Sequence, residues 1–346
     1  MRFFLIILIL IPLVSACATA PKTIMRNDPL IGKIVNSSTQ KLVDFTSLMA
    51  ALEPYDVIYI SEKHDNPMHH DIQHRIIQHL VDRGKSPTIG FEFFSVYDTP
   101  LLLNLGDAQK AGHQLKSDTA LETKMRKNLG WANQSDRMWA YYWNLLSLAG
   151  ENNLQATGLD ISSAQKRRIT RKGLAGLTRI EQKRLFSTKL DDPAYEAHMK
   201  SIFKAVHCGM NHGKMTERLY DTWTARNDQM ALSIVELHES GRNRKPSGPV
   251  VVIMGNGHTE YGLGVIDRVR HLAPGISQVN LAMTEISRKP AVLDEYLDPL
   301  ELEGFAPVPP ADFLWFTQRV SYEDPCEKFK AALKKMKGLP PAKSQE

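Results

Sequence analysis

Cysteine is scarce in this chain: there are three in 346 residues, at positions 17, 208 and 326. That excludes a small disulfide-stapled scaffold and a cysteine-based zinc site. The N-terminal apolar run at 3–11 falls short of the roughly 20 residues that cross a bilayer. Neither sign of charge dominates, since 43 Lys and Arg face 38 Asp and Glu for a net +5. So mild a balance suits an anionic ligand or a membrane surface and makes no case for nucleic acid. Internal repeats and long low-complexity stretches are also missing, which removes solenoids and disordered arrays.

What is present begins at the N-terminus. Arg2, the short apolar run and Val14-Ser15-Ala16 ahead of Cys17 make a secretory signal. The cysteine after small residues is similar to a bacterial lipobox, in which Cys17 is lipidated and becomes the first residue. Residues 1–16 are therefore expected to be a signal peptide, and residues 17–28 a lipidated cysteine and its tether. Ala18, standing where an aspartate would hold a lipoprotein at the inner membrane, points to the outer membrane of a bacterial cell envelope. Cys208 and Cys326 remain, and could pair in an oxidising compartment. Residues 326–346 carry Lys328, Lys330, Lys334, Lys335, Lys337 and Lys343 and are expected to be a basic C-terminal tail.

Between these ends, residues 29–325 read as one α/β domain. A hairpin is expected from 31–35 and 41–45, a helix over 46–53 and a buried strand over 56–61. Asn66-Pro67 is a cap-and-first-turn signature for a helix with Ile72, Ile76, Ile77 and Leu80 at core spacing, ending near Gly84. A strand over 88–93 follows, so the unit implies a parallel crossover. Residues 98–150 read as helical and rich in Trp, Tyr and Leu, and 154–160 as strand. Residues 163–220 read as polar helix broken at Gly173, Gly176 and Pro193. A long helix over 214–239 leads to a strand from Val250, a helix over 259–272 and strands near 277–283 and 313–316. The class is thus α/β, with a mostly parallel sheet flanked by helices in three layers. An added smaller helical lobe is expected around 98–150, 163–209 or both.

Chemistry gathers where strands end. Glu62 and His64 follow the first buried strand, spaced to hold a divalent metal or to act as a base and its orienting group. Glu92 interrupts an apolar strand, where a carboxylate is either ion-paired or facing a cleft. Gly255-Asn256-Gly257-His258 ends another strand, either as a plain capped turn or as an anion-favouring helix start facing the same crevice. His69, His70, His74 and His79 read as a surface helix. His198, His207 and His212 flank Cys208.

Four segments in order carry a resemblance: Ser61-Glu62-Lys63-His64-Asp65-Asn66, Gly90-Phe91-Glu92-Phe93-Phe94, Trp223-Thr224-Ala225-Arg226-Asn227-Asp228, and Gly255-Asn256-Gly257-His258. Together they resemble the ChaN family of haem-binding bacterial lipoproteins, in the superfamily that includes Tiki proteases and erythromycin esterases. The resemblance implies a parallel α/β sheet with a helical lobe, haem as ligand and a part in haem and iron uptake. It also implies a ligand-binding protein more than an enzyme. Implied partners are membrane lipid through Cys17, an outer-membrane haem transporter and a second copy of the chain in a homodimer. Residues carried over to the ligand site are Glu62, His64, Glu92, Asn256 and His258, with Tyr97 or Tyr261 preferred as the iron ligand. The alternative is a metal-dependent hydrolase in which Glu62, His64, Glu92 and His258 work, with a divalent metal on His64, His258 and Glu92. Ser61 departs from the family's glycine, which would alter the pocket floor if that position needs a positive φ.

Overall fold

The computed structural model describes residues 28–188, 190, 192–209, 213–241, 246–289, 291–324 and 326–327. The signal, Cys17 and most of the tether lie outside the described residues, as do His212 and the basic tail beyond 327.

Eight strands form one sheet. In chain order they are β1 (Ile34–Asn36), β2 (Lys41–Val43), β3 (Val57–Glu62), β4 (Thr88–Ser95), β5 (Gln155–Asp160), β6 (Val250–Gly255), β7 (Gln278–Glu285) and β8 (Phe313–Thr317). Their spatial order is β2-β1-β8-β7-β3-β6-β4-β5. Pairing is parallel from β8 through to β5, and only the β1–β2 hairpin joins antiparallel, at the β8 edge. The expected crossover from β3 to β4 is parallel, but the two strands are not neighbours, because β6 inserts between them.

Alternation sets the layers. Ile58, Ile60, Val251 and Ile253 face one side, while Val57, Tyr59, Val250, Val252 and Met254 face the other, as a period of two requires. The first side is covered by α1 (Phe45–Leu52), α2 (Pro67–Asp82), α3 (Thr99–Lys110), α4 (Thr119–Asn128) and α5 (Asp136–Glu151). The aromatic stretch lies here, with Trp139 and Tyr142 almost fully buried. The other side is covered by α9 (Lys214–Gly241) and α10 (Val265–Leu272). Three shorter helices, α6 (Ser163–Lys172), α7 (Arg179–Leu185) and α8 (Pro193–Val206), pack on α9 between β5 and β6. A last short helix, α11 (Leu293–Leu297), lies between β7 and β8. Asn66 caps α2 as expected, its side chain accepting the Met68 N–H at 3.0 Å. Cys208 and Cys326 are disulfide-bonded with Cα atoms 5.5 Å apart.

One boundary differs from the sequence reading. The segment after His258 does not enter an α-helix. Two short 3-10 turns, Asn256–His258 and Glu260–Gly262, precede α10. Tyr261, Gly262 and Gly264 have φ of 59°, 66° and 67°, in the left-handed region that breaks a helix. The turn therefore lacks the helix N-terminus on which anion binding was expected.

Candidate functional site

The polar cluster sits at the carboxyl edge of β3, β6 and β4, the edge where open α/β sheets bind ligands. Strand alternation aims its carboxylates apart. Glu62 shares a face with Ile60 and looks toward α2 and α5. Glu92 shares a face with Gly90 and looks toward α9. Gly255 of β6 pairs with Glu62 and lies between them.

Glu62 is buried, and four side chains surround it. The Tyr142 hydroxyl donates to Oε1 at 2.5 Å and the Gln73 amide to Oε2 at 2.6 Å. His64 Nδ1 lies 3.0 Å from Oε1 and His70 Nδ1 3.4 Å from Oε2. Burial alone would raise the Glu62 pKa, but the His64 hydrogen bond and the His70 and His64 charges prevail, and it falls below the ordinary value. His64 moves the other way: burial opposes its charge, and the bond to Glu62 with the Glu92 and Glu62 charges raises its pKa. Burial and the Glu62 charge hold the Tyr142 phenol protonated, fixing it as a donor.

Glu92 leaves the ladder just after Phe91, where the β4 register shifts. Its Oε2 accepts the Gly255 N–H at 2.7 Å, in place of a strand carbonyl. Arg226 of α9 donates to Oε1 at 2.6 Å and to Asp160 at 2.8 Å, and Lys166 closes on Asp160 at 2.5 Å. Burial would raise the Glu92 pKa, but the His258 and Arg226 charges hold it well below the carboxylate range. His258 Nε2 lies 3.3 Å from Glu92 Oε1. Its Nδ1 meets Asn227 Oδ1 at 2.8 Å, and its ring stacks on Trp223 at 4.1 Å. Burial lowers the His258 pKa against the opposing Glu92 charge.

Asn256 donates to the Met283 carbonyl at 3.1 Å, while its buried Oδ1 has no hydrogen-bond partner among the described residues. A cleft of about 370 Å³ opens here, lined by His64, Gly255, Asn256, Gly257, Lys63 and Arg319 among others. Glu62, His64 and Asn256 line this cleft, whereas Glu92 and His258, 3.3 Å apart, are buried and do not form part of its wall. Tyr97 stands apart, 68 % exposed just after β4. Tyr261 lines a separate cavity of about 1030 Å³ between α10 and residues 300–313.

Two readings are corrected. Among the described residues no group of three or more His, Cys, Asp or Glu side chains is arranged to hold a metal ion. The physical reason is saturation: a guanidinium, an imidazole and a backbone N–H occupy the Glu92 oxygens, so His64, His258 and Glu92 form no shared ligand set. His69 and His70 are buried, not a surface stripe. His70 stacks on Tyr141 at 4.6 Å and its Nε2 meets the His64 carbonyl at 2.9 Å.

Ser61 resolves differently from the concern raised by its departure from glycine. It is not among the positive-φ residues. Its hydroxyl points away from the cleft, to Thr259 at 2.6 Å and Asn280 at 2.7 Å. Residues without a role in the sequence reading were Tyr142, Gln73, Asp160, Arg226 and Asn227. For the last two a signal existed, because Trp223, Arg226 and Asn227 at i, i+3 and i+4 share one face of α9.

The fold and this edge define an α/β protein with a polar constellation at the carboxyl ends of a parallel sheet. The chain belongs to the family described as haem-binding uptake, Tiki superfamily, ChaN, whose model matches residues 48–269. In fold it is similar to ChaN of Campylobacter jejuni, whose structure shows cofacial haem binding. That match has 15% identity and a TM-score of 0.57, covering 82% of this chain and 95% of that one. Weaker likenesses include the type III effector HopBA1, with 10% identity, a TM-score of 0.41 and coverage of 84% and 99%. Erythromycin esterase EreC in its open conformation gives 12% identity, a TM-score of 0.41 and coverage of 74% and 76%. No curated protein matched.

Proposed function

We propose that this protein is a lipid-anchored haem-binding protein of the bacterial cell envelope that serves haem and iron uptake. The observation that carries the reading is the family match across residues 48–269, which takes in every segment of the carboxyl-edge cluster and Tyr261. Haem requires an axial ligand, an apolar slot and cations for its propionates. The cavity beside Tyr261 fits those needs. Its volume of about 1030 Å³ reaches the upper end of ligand pockets. Leu263, Ile266, Leu302 and Phe305 supply apolar wall, Tyr261 a phenol and Arg270 a cation. Burial, then the Glu260 and Asp298 charges, raise the Tyr261 pKa, so the phenol is held protonated and would have to give up that proton to serve as an iron ligand.

The carboxyl-edge cluster then has a positioning role. Glu92 holds Gly255, Asn227 and Trp223 hold His258, and Ser61 holds Thr259. These contacts pin the segment from which Tyr261 projects. An outer-membrane haem transporter is the partner this reading implies, and a homodimer is its expected assembly. Ferric haem titrated into the soluble form beginning at Ala18 tests it. A saturable Soret shift with charge-transfer bands is expected. No shift at micromolar protein would remove haem binding from the account.

A further inference from the structure

Three neighbouring strands end side by side at the carboxyl edge, and each places a charged residue there. β7 lies between β3 and β8. Lys63 follows β3, Glu285 ends β7 and Arg319 lies two residues past β8. All three line the cleft of about 370 Å³, together with His64 and the Gly255-Asn256-Gly257 turn. The strand order thus sets two cations on either side of one carboxylate.

The hydrogen bonds already made decide what the cleft offers a ligand. Glu285 is buried and saturated. Its Oε1 accepts from the Asn66 amide at 3.1 Å and the Val320 N–H at 2.9 Å, and its Oε2 meets Lys63 at 3.0 Å and Arg319 at 3.3 Å. Glu62, the other carboxylate in the wall, is taken up by Tyr142, Gln73, His64 and His70. The cations, by contrast, have donors left. An ammonium carries three N–H groups and a guanidinium five. Lys63 gives one to Glu285, and its next acceptor, Asp65, is 3.6 Å away. Arg319 sets Nε on the Ile286 carbonyl at 2.9 Å and Nη1 on Glu285, while its Nη2 has no partner among the described residues. Asn256 Oδ1 also lacks a partner, but it is buried away from solvent.

We propose that this cleft binds a small oxyanion, a carboxylate or a phosphate group, held between Lys63 and Arg319. Charge-assisted hydrogen bonds from both cations suit the oxygens of such a group. Glu285 fixes the two side chains before a ligand arrives, so little ordering remains to oppose binding. A cationic ligand would find both carboxylates occupied. The anion contact suggested by the sequence for a helix start after Gly255 is thereby made by side chains instead. The site does not rest on haem, since the cavity beside Tyr261 is separate.

Inorganic phosphate and acetate, titrated separately at pH 7 into the soluble form beginning at Ala18, test the site through the backbone amide NMR signals of Lys63, Gly255 and Gly257. Saturable shifts are expected with phosphate and weaker ones with acetate, because a dianion meets both cations. Sodium chloride at matched ionic strength should leave the signals in place. Lys63→Gln combined with Arg319→Gln should weaken phosphate binding about tenfold or more. Arg319→Lys alone should weaken it less, because the charge stays and only the planar fork is lost. Saturation by acetate alone would identify the group as a carboxylate and uphold the site. No saturation by either anion overturns the proposal, and so does saturation that survives the double substitution in a folded variant. Urea midpoints show whether each variant is folded, and the titration of the unaltered chain decides the matter even where one is not. Haem titration of the same samples keeps the two readings apart: phosphate shifts without a Soret shift would remove haem binding and leave the oxyanion site.

Discussion

Gly255 and His64 approach so closely that no side chain fits between them. A β-carbon at 255 would lie 2.7 Å from His64 Cε1 and 3.0 Å from Nε2. The φ of Gly255 is −69°, so the glycine is needed for space and not for backbone freedom. Gly255→Ala should push the imidazole from its bond with Glu62 and leave a buried carboxylate short of a partner. We expect a loss of about 1–3 kcal/mol in urea unfolding, with the His64 titration moving down by NMR. Unchanged stability together with an unchanged titration would sink this account of the glycine.

Arg226 joins two buried carboxylates, Glu92 and Asp160, across α9. Removing it takes the guanidinium from Glu92 and leaves that buried carboxylate only the Gly255 N–H and the His258 ring as close partners. Arg226→Gln should cost about 3–5 kcal/mol, and Glu92→Gln in the same chain should return part of it, because that charge is then gone. A double-mutant cycle in urea checks this. Additive losses would mean that the two residues do not act on each other.

Acid sensitivity should centre on His69. Burial drives its pKa down to about 3. Its Nδ1 accepts the Lys63 N–H at 2.8 Å and its Nε2 faces Thr317 at 2.8 Å, a pattern only the neutral ring satisfies. The unfolded chain, with an ordinary value near 6.5, binds the proton first. Stability from His69 is therefore whole above pH 6.5 and drains as pH falls toward 3, by up to about 1.4 kcal/mol per unit. His64, whose folded value is raised, runs the other way: its contribution is whole below 6.5 and is lost above it. Glu92, held well below its ordinary value, contributes above about 4.5 and weakens only under stronger acid. Urea midpoints from pH 4.5 to 8 check the windows. A His69→Gln variant with the same slope as the parent below pH 6.5 would show that another group sets it.

Much of the fold was legible because local signals agreed. The strand β3 was an apolar run closing on a carboxylate and β6 one closing on a glycine turn, and Asn66-Pro67 marked the α2 start to the residue. Strand order was not legible, since the placing of β6 between β3 and β4 depends on contacts between residues far apart in sequence. The burial of His69, His70 and Gln73 escaped because hydrophobic periodicity counts them as surface, and only their partners (Thr317, Tyr141 and Glu62) show otherwise. The break after His258 did leave a trace, in Gly262 and Gly264. At Gly264 φ is +67° and a β-carbon would lie 2.5 Å from the His258 carbonyl oxygen.

The two tyrosines preferred from the sequence as iron ligands separate in the structure, which makes them a direct test of where haem binds. Tyr97 is exposed on the surface after β4, with no cavity of the size a porphyrin needs beside it among those described. Tyr261 is half-buried in the wall of the large cavity, in a left-handed conformation with φ 59°. Tyr261→Phe keeps the ring and removes only the phenol oxygen, so the fold should be untouched while the charge-transfer bands of the ferric complex disappear and affinity falls about tenfold or more. Arg270→Gln should weaken affinity with the bands retained, because it acts on a propionate and not on iron. Tyr97→Phe should change neither. Bands that survive Tyr261→Phe and vanish in Tyr97→Phe would move the haem to the surface after β4 and leave the large cavity to another ligand.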